Sequence, residues 1–237
     1  MTQTLKDLYR KAFPRVVISV LRGHFSSQSS IKILDVGCGN HSPSIFKLFF
    51  PKAHYTGLDR ETDYELSPED KEKMDAFILF DLNVGDWSLI PDENYDVITM
   101  VHVIEHIQRG EEVLENLWRK LKPGGYLYVE TPTERSLYLP SMPGTLNFFD
   151  DPTHVRLYPP AELANLFLRL GGRVLRVRIA RNWRRMLAAP LLIPLHLLFK
   201  GTIRRGALYW DWTGFAYYIL VQKPSHNNAP NRADTQR

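Results

Sequence analysis

Apolar residues along this chain follow two rhythms: short near-continuous runs that suit buried strands, and three- to four-residue repeats that suit helices. The runs are Ile31–Val36, Ala53–Asp59, a stretch closing at Phe80-Asp81, Tyr95–Val101 and Tyr126–Val129. Such apolarity predicts central parallel strands covered on both faces. Leu5, Leu8, Tyr9, Ala12, Val16, Val17 and Val20 predict one amphipathic N-terminal helix, bent by Pro14. Val113, Leu114, Leu117, Trp118 and Leu121 predict another, ended by Pro123-Gly124-Gly125. A third opens at Pro159-Pro160, buries Leu163, Leu166, Phe167 and Leu170, and closes at Gly171-Gly172. Arg173–Ile179 alternates as a strand, and Phe215–Lys223 reads as the last one. Strands alternating with helices predict an α/β fold built on a parallel sheet. The expected organisation is a helix and linker over 1–30, one domain over 31–223 with an insertion at 181–212, and a polar, disordered tail over 224–237.

The first run enters a glycine turn, Asp35-Val36-Gly37-Cys38-Gly39-Asn40. Gly37 and Gly39 lack a Cβ, so the backbone there can turn sharply and approach a ligand. The next strand ends on Asp59, about 20 residues later, the spacing at which a carboxylate holds a ribose diol. His41, Ser42 and Pro43 follow where a dinucleotide fingerprint wants a further glycine, so a nucleoside without a pyrophosphate is the better fit. The single cysteine, Cys38, excludes an intrachain disulfide and suits a reducing compartment. No charged-then-apolar leader pattern is visible at the N-terminus, so a cytoplasmic location is expected.

Together, Ile31–Asn40, Ala53–Asp59, Phe80–Asn83, Tyr95–Ile107 and Leu121–Pro132 resemble, in order, the motifs of a class I S-adenosylmethionine-dependent methyltransferase. The likeness runs from about Ile31 to Leu170 and is greatest to O-methyltransferases of surface glycans, lipids and ubiquinone. It implies a Rossmann-like seven-stranded sheet with helices on both faces and S-adenosyl-L-methionine as cofactor. By the same resemblance Asp35, Gly37, Cys38 and Gly39 line the methionine end, Asp59 and its neighbour Arg60 meet the ribose, Asp81 and Leu82 read adenine, and Met100 and Val101 lie near the sulfonium. His154 and His106 are the candidate catalytic residues. An extended Asp150–Tyr158 segment would place His154, Arg156 and Tyr158 on one face; the alternative for His154 is to order its loop through Asp150 or Asp151. Some relatives bind a metal through a Glu-x-x-Glu-His cluster and a later histidine. Here His102, Glu105, His106 and His154 stand at those positions, and because His102 replaces the first Glu, no metal is expected.

Charge narrows the acceptor. The chain holds 30 basic and 26 acidic residues, yet no acid lies between Glu162 and Asp211. Ten of the basic residues, from Arg169 to Arg205, fall in that interval and flank the apolar run Met186–Phe199, which Pro190 and Pro194 are expected to break twice. The run is shorter than the roughly 20 residues that span a bilayer. With Trp183, Tyr209, Trp210 and Trp212 nearby, it suits the surface of an anionic membrane, the expected contact being 181–205. A lid or dimer contact is the plainer alternative. A nucleic-acid track is weaker, because base stacking wants scattered aromatics rather than an aliphatic run. The favoured function is therefore O-methylation of a lipid-linked or envelope-glycan small molecule by a cytoplasmic, membrane-peripheral enzyme. The alternatives are a metal-assisted RNA 2′-O-methyltransferase and a non-catalytic S-adenosylmethionine-binding accessory subunit.

Overall fold

The computed structural model describes residues 3–142, 145–200 and 206–225. Seven strands form one sheet: β1 Lys32–Val36, β2 His54–Asp59, β3 Ala76–Leu79, β4 Tyr95–Val101, β5 Leu121–Pro132, β6 Arg173–Ile179 and β7 Ala216–Gln222. Their order is β3-β2-β1-β4-β5-β7-β6, with β7 antiparallel to both neighbours and the other pairings parallel. The expected seven-stranded sheet is present. Helices α1 Gln3–Ala12, α2 Val16–Leu21, α3 Ser42–Phe49 and α4 Pro68–Glu72 lie in the first half. They are followed by α5 Gly110–Lys120, α6 Pro160–Arg169, α7 Trp183–Lys200 and α8 Gly206–Thr213.

Because strand side chains alternate, the sheet has two apolar faces and two cores. Leu34, Ile98, Met100, Leu127 and Ile219 pack with Leu114, Leu117 and Trp118 of α5 and Leu163 and Phe167 of α6. On the other face Ile33, Val97, Tyr128 and Leu220 pack with Ile18 and Leu21 of α2 and Phe46 and Phe49 of α3.

Three details depart from the sequence reading. The N-terminal helix is two helices, because Pro14 ends the first and its carbonyl accepts Asn182 Nδ2–H at 2.7 Å instead of a helical N–H. The Pro123-Gly124-Gly125 turn lies inside β5, as an irregularity of register opposite Tyr95–Val97, rather than before it. Conversely, α7 runs unbroken through Pro190 and Pro194. Prolines four apart put both missing N–H groups on one side of a helix, and that side is exposed here, so water can satisfy the freed carbonyls. The proposed tail lies outside the described residues from 226 onward.

The crossing from β4 into α5 is held from below. Tyr158 OH accepts Gly110 N–H at 2.8 Å and donates to Ile107 O at 2.5 Å, while Tyr217 OH donates to Tyr158 O at 2.6 Å. All three are buried polar groups with no water to replace a lost partner. Tyr158→Phe is expected to cost about 1–3 kcal/mol of stability by urea denaturation, since it orphans a buried N–H and a buried carbonyl.

Candidate active site

The carboxyl ends of β1, β2 and β4 converge on the glycine turn, the edge at which open α/β sheets bind ligands. Gly37 has φ +73, and a Cβ there would come within 2.2 Å of Val103 Cγ2. Gly39 is covered by Tyr64, whose ring would stand 2.6 Å from a Cβ at that position. Only glycine gives this backbone its path between the two neighbours.

Asp35 underlies the turn. Its side chain is buried at 2% exposure and accepts hydrogen bonds from Ser42 Oγ at 2.5 Å, Tyr55 OH at 2.6 Å and Thr99 Oγ1 at 2.7 Å. Burial pushes its carboxyl above the ordinary range, and the three hydroxyls pull the other way. The expectation that Asp35 lines the ligand is corrected here: its oxygens are taken, and it braces the turn from beneath. Arg15 was not singled out in the sequence, being one arginine among many, yet it reaches the turn from just before α2. It donates to Asn40 O at 2.5 Å and lies within electrostatic reach of Asp35 and Glu130.

The other cofactor candidates divide into those the structure brings to the site and those it does not. Asp59 is half-buried at the end of β2, and Glu61 N–H donates to its Oδ1 at 3.1 Å. Partial burial raises its carboxyl above the usual value, which suits a group that gains hydroxyl donors on binding. Val101 stands half-buried at the end of β4. Met100 does not fit its predicted place, because strand alternation sends its fully buried side chain into the core below α5. The Cys38 thiol is likewise buried, packed against Gly57 and pushed well up by desolvation, so only its backbone is left to meet a ligand. Arg60 is exposed and pairs with Glu61 at 3.3 Å. Asp81 is exposed and accepts Asn83 N–H at 2.8 Å; Leu82 packs at the core's margin.

Beyond β4 lies a cluster of histidines and carboxylates. His102, at φ +54, faces fully buried Glu105 with Nδ1 3.1 Å from Oε1, and Thr131 Oγ1 donates to Oε2 at 3.0 Å. Burial opposes charge on His102, but Glu105 and Glu130 outweigh it and push its pKa up to about 10; burial is outweighed at Glu105 too, and His102 holds its carboxyl low. Glu105, His106 and His154 each offer one ligand-type atom within 4.8 Å of the others, whereas His102 lies outside that group. The group is heavily committed. Glu105 serves His102 and Thr131, His106 Nδ1 faces Thr153 O at 3.2 Å, and His154 Nδ1 donates to Phe148 O at 2.7 Å. His154 is thus tied to its own loop through Phe148 O, and of the expected Asp150 or Asp151 it faces Asp151, 3.9 Å from its Nε2. His154, Arg156 and Tyr158 do meet one segment, the β4–α5 connection. The His154 ring lies 4.8 Å from that of His106, tilted against it, Arg156 pairs with Glu111 at 2.6 Å, and Tyr158 binds Ile107 and Gly110.

The two surface clefts, about 180 Å³ beside Arg10, His41 and Asp70 and about 350 Å³ beside Thr62, Met74 and Phe77, lie to the side of these strand ends. The glycine turn and the strand-end acid carry the site assignment, because they supply the specific contacts.

This sheet order, the glycine turn after β1 and the acid after β2 define a class I S-adenosylmethionine-dependent methyltransferase. A model of the methyltransferase-domain family matches residues 6–177, and the chain belongs to that family. It is similar to the ubiquinone biosynthesis O-methyltransferase of Rickettsia bellii, 28% identical over 121 residues that make up 48% of each protein. The chain therefore spans about half the length of the curated relatives it matches. A SAM-dependent methyltransferase structure from Archaeoglobus fulgidus superposes with a TM-score of 0.57 at 20% identity, over 91% of this chain and 98% of that one. The phosphoethanolamine N-methyltransferase 2 of Haemonchus contortus, solved with S-adenosylhomocysteine, gives 0.58 at 14%, over 88% and 52%. The cofactor is S-adenosyl-L-methionine, and Gly37, Gly39 and Asp59 fit it: a backbone path closed to any side chain and a half-buried carboxylate for the ribose. Bound there, it supplies a methyl group already activated on a sulfonium.

Asp59→Ala is expected to weaken S-adenosylmethionine binding at least tenfold by calorimetry, the scale of hydrogen bonds to a charged group. The His102–Glu105 pair sets a pH dependence. Raised in the folded state, His102 stabilises fully below about pH 6.5 and loses that contribution as pH climbs toward 10. His102→Gln is expected to flatten this alkaline decline in a plot of urea midpoint against pH.

Proposed function

We propose that this chain transfers a methyl group from S-adenosylmethionine to a hydroxyl of a lipid-linked or envelope-glycan acceptor at a membrane surface. The exposed stripe on α7 carries this reading. Trp183, Leu187 and Leu191, at 63%, 83% and 68% exposure, recur every four residues and share one side with exposed Pro190 and Pro194. A soluble helix turns such a stripe inward, so an outward one marks a surface awaiting an apolar partner. No described helix is long and apolar enough to cross a membrane, which leaves attachment along the surface. Exposed Arg184 on α7 and exposed Arg173, Arg176 and Arg178 on the edge strand β6 favour an anionic layer, at about 1 kcal/mol per basic side chain near the headgroups.

The stripe is mechanically tied to the active site. Buried Asp211 of α8 accepts Asn182 N–H at 2.8 Å and pairs with Arg185, clamping α8 to the start of α7. One residue earlier, Trp210 lies 4.9 Å from the His102 ring and stacks on Phe215 at 4.6 Å. A molecule held in the surface layer would therefore meet the site beside β4. The acceptor needs alignment with the methyl group more than activation, which anchoring in a layer helps to provide.

The test is sedimentation with phosphatidylglycerol or phosphatidylcholine vesicles, followed by methyl-label transfer into a cell lysate split into lipid and aqueous fractions. The wild-type protein is expected to pellet with the anionic vesicles and label the lipid fraction, and Leu187→Glu with Leu191→Glu to reduce pelleting at least tenfold. Protein that stays in the supernatant with both vesicle types, or label found only in the aqueous fraction, refutes the reading.

A further inference from the structure

The candidate histidines leave an unfilled role. Alkylating a hydroxyl releases its proton, and a carboxylate or imidazole within hydrogen-bond reach of that oxygen speeds the aligned transfer by accepting it. His106 and His154 have their Nδ1 atoms committed to residues 153 and 148, and His154 is sealed in its loop. Glu105 is fully buried between His102 and Thr131.

Glu130 is placed differently. It ends the parallel pairing of β5 with β4, opposite Val101, so it stands at the ligand-binding edge. Its carbonyl accepts His102 N–H at 2.9 Å, fixing the turn that follows β4. Its side chain keeps 12% exposure. Tyr128 OH donates to Oε2, which orients the carboxylate, while Oε1 stands 3.5 Å from His102 Nε2. That separation is an ion-pair contact but not a hydrogen bond, and His102 Nε2 is a buried polar atom without a partner. The ring as a whole retains 23% exposure, so it is the nitrogen that is sealed, against the very oxygen it fails to bond. With that nitrogen sealed, an acceptor oxygen reaches this edge through the part of the Glu130 carboxylate that stays exposed, beside an imidazole that faces the same carboxylate. Arg15, which holds Asn40 O of the glycine turn, also lies within electrostatic reach of Glu130.

Resting on the methyl-transfer reading, we infer that Glu130 is the general base of the reaction and that its acceptor is an uncharged hydroxyl. The hydroxyl oxygen forms a new bond to the methyl carbon as the carbon–sulfur bond breaks. Its proton passes to Glu130 Oε1, and the electron pair of the broken bond remains on sulfur. Charge selects the substrate class. Glu105 and Glu130 flank a single imidazole, and the other nearby cation, Arg15, is drawn to Asp35 more than to Glu130, so three acids face two cations. An acceptor carboxylate would meet net negative charge here, whereas a hydroxyl offers the proton that Glu130 can take.

The experiment compares wild type, Glu130→Gln and Glu130→Asp with methyl-labelled S-adenosylmethionine and whole lysate, counting label in both fractions together. S-adenosylhomocysteine affinity is measured alongside by calorimetry, and labelled product is treated with mild alkali. Glu130→Gln is expected to lower total label at least 100-fold while affinity stays within twofold, and Glu130→Asp to recover part of the rate. Alkali-stable ether label is expected throughout. The proposal is overturned by a Glu130→Gln rate within threefold of wild type, by an affinity loss that matches the rate loss, or by label released as methanol from an ester. Because total label is counted, an aqueous acceptor would defeat the membrane reading and leave this test intact.

Discussion

The site depends on keeping one carboxylate, Asp35, out of water. Its three hydroxyl donors come from three elements: Ser42 from α3, Tyr55 from β2 and Thr99 from β4. A buried carboxylate without such donors would be costly and would take up a proton. With them it becomes a junction that locks the first turn of α3 and two strands to the glycine backbone. Gly37 can hold its positive φ because Val103 presses from one side and this junction fixes the other. The groups left free to meet a ligand are the turn's backbone and Asp59, while the strongest-looking acid in the motif works beneath them.

The fold was legible because each strand carries its own apolar run and each helix its own stripe. The helical repeat of Val113, Leu114, Leu117 and Trp118 and the runs at 31–36 and 95–101 are local signals, and each became the element it implied. What sequence could not separate was side-chain direction. Met100 and Val101 are adjacent and both apolar, yet alternation sends Met100 into the core beneath α5 and Val101 to the margin of the core on the other face. Arg15 and Glu130 were invisible for another reason. Their relevance comes from contacts across distant chain, Arg15 with Asn40 and Glu130 with His102, and neither residue type is unusual where it stands. Pro190 and Pro194 misled in the opposite sense, since a helix tolerates them when the bonds they remove face outward.

The histidine-rich segment shows how little residue type decides by itself. Four side chains suited to metal or proton chemistry sit within a few residues or one loop of each other. Their hydrogen bonds sort them into different tasks: Glu105 and His102 into a buried ion pair, His154 into a loop fastening, His106 into a partner for Thr153. The aromatic pair Trp210 and Phe215 closes over His102 from the far end of the sequence. The segment after β6 thus reaches back to pack against the turn that follows β4, and it presents an outward surface as well.

The antiparallel β7 has a consequence in time. It lies between β5 and β6, and among the described residues β6 has no strand neighbour except β7. During synthesis, β6 and the helices after it emerge while their place in the sheet is still missing, since β7 is made only after α8. Through that interval the α7 segment, with its outward tryptophan and leucines, is joined to a domain whose edge has not yet formed. Order of emergence, as much as the finished shape, sets how long that apolar face stands beside an unfinished sheet.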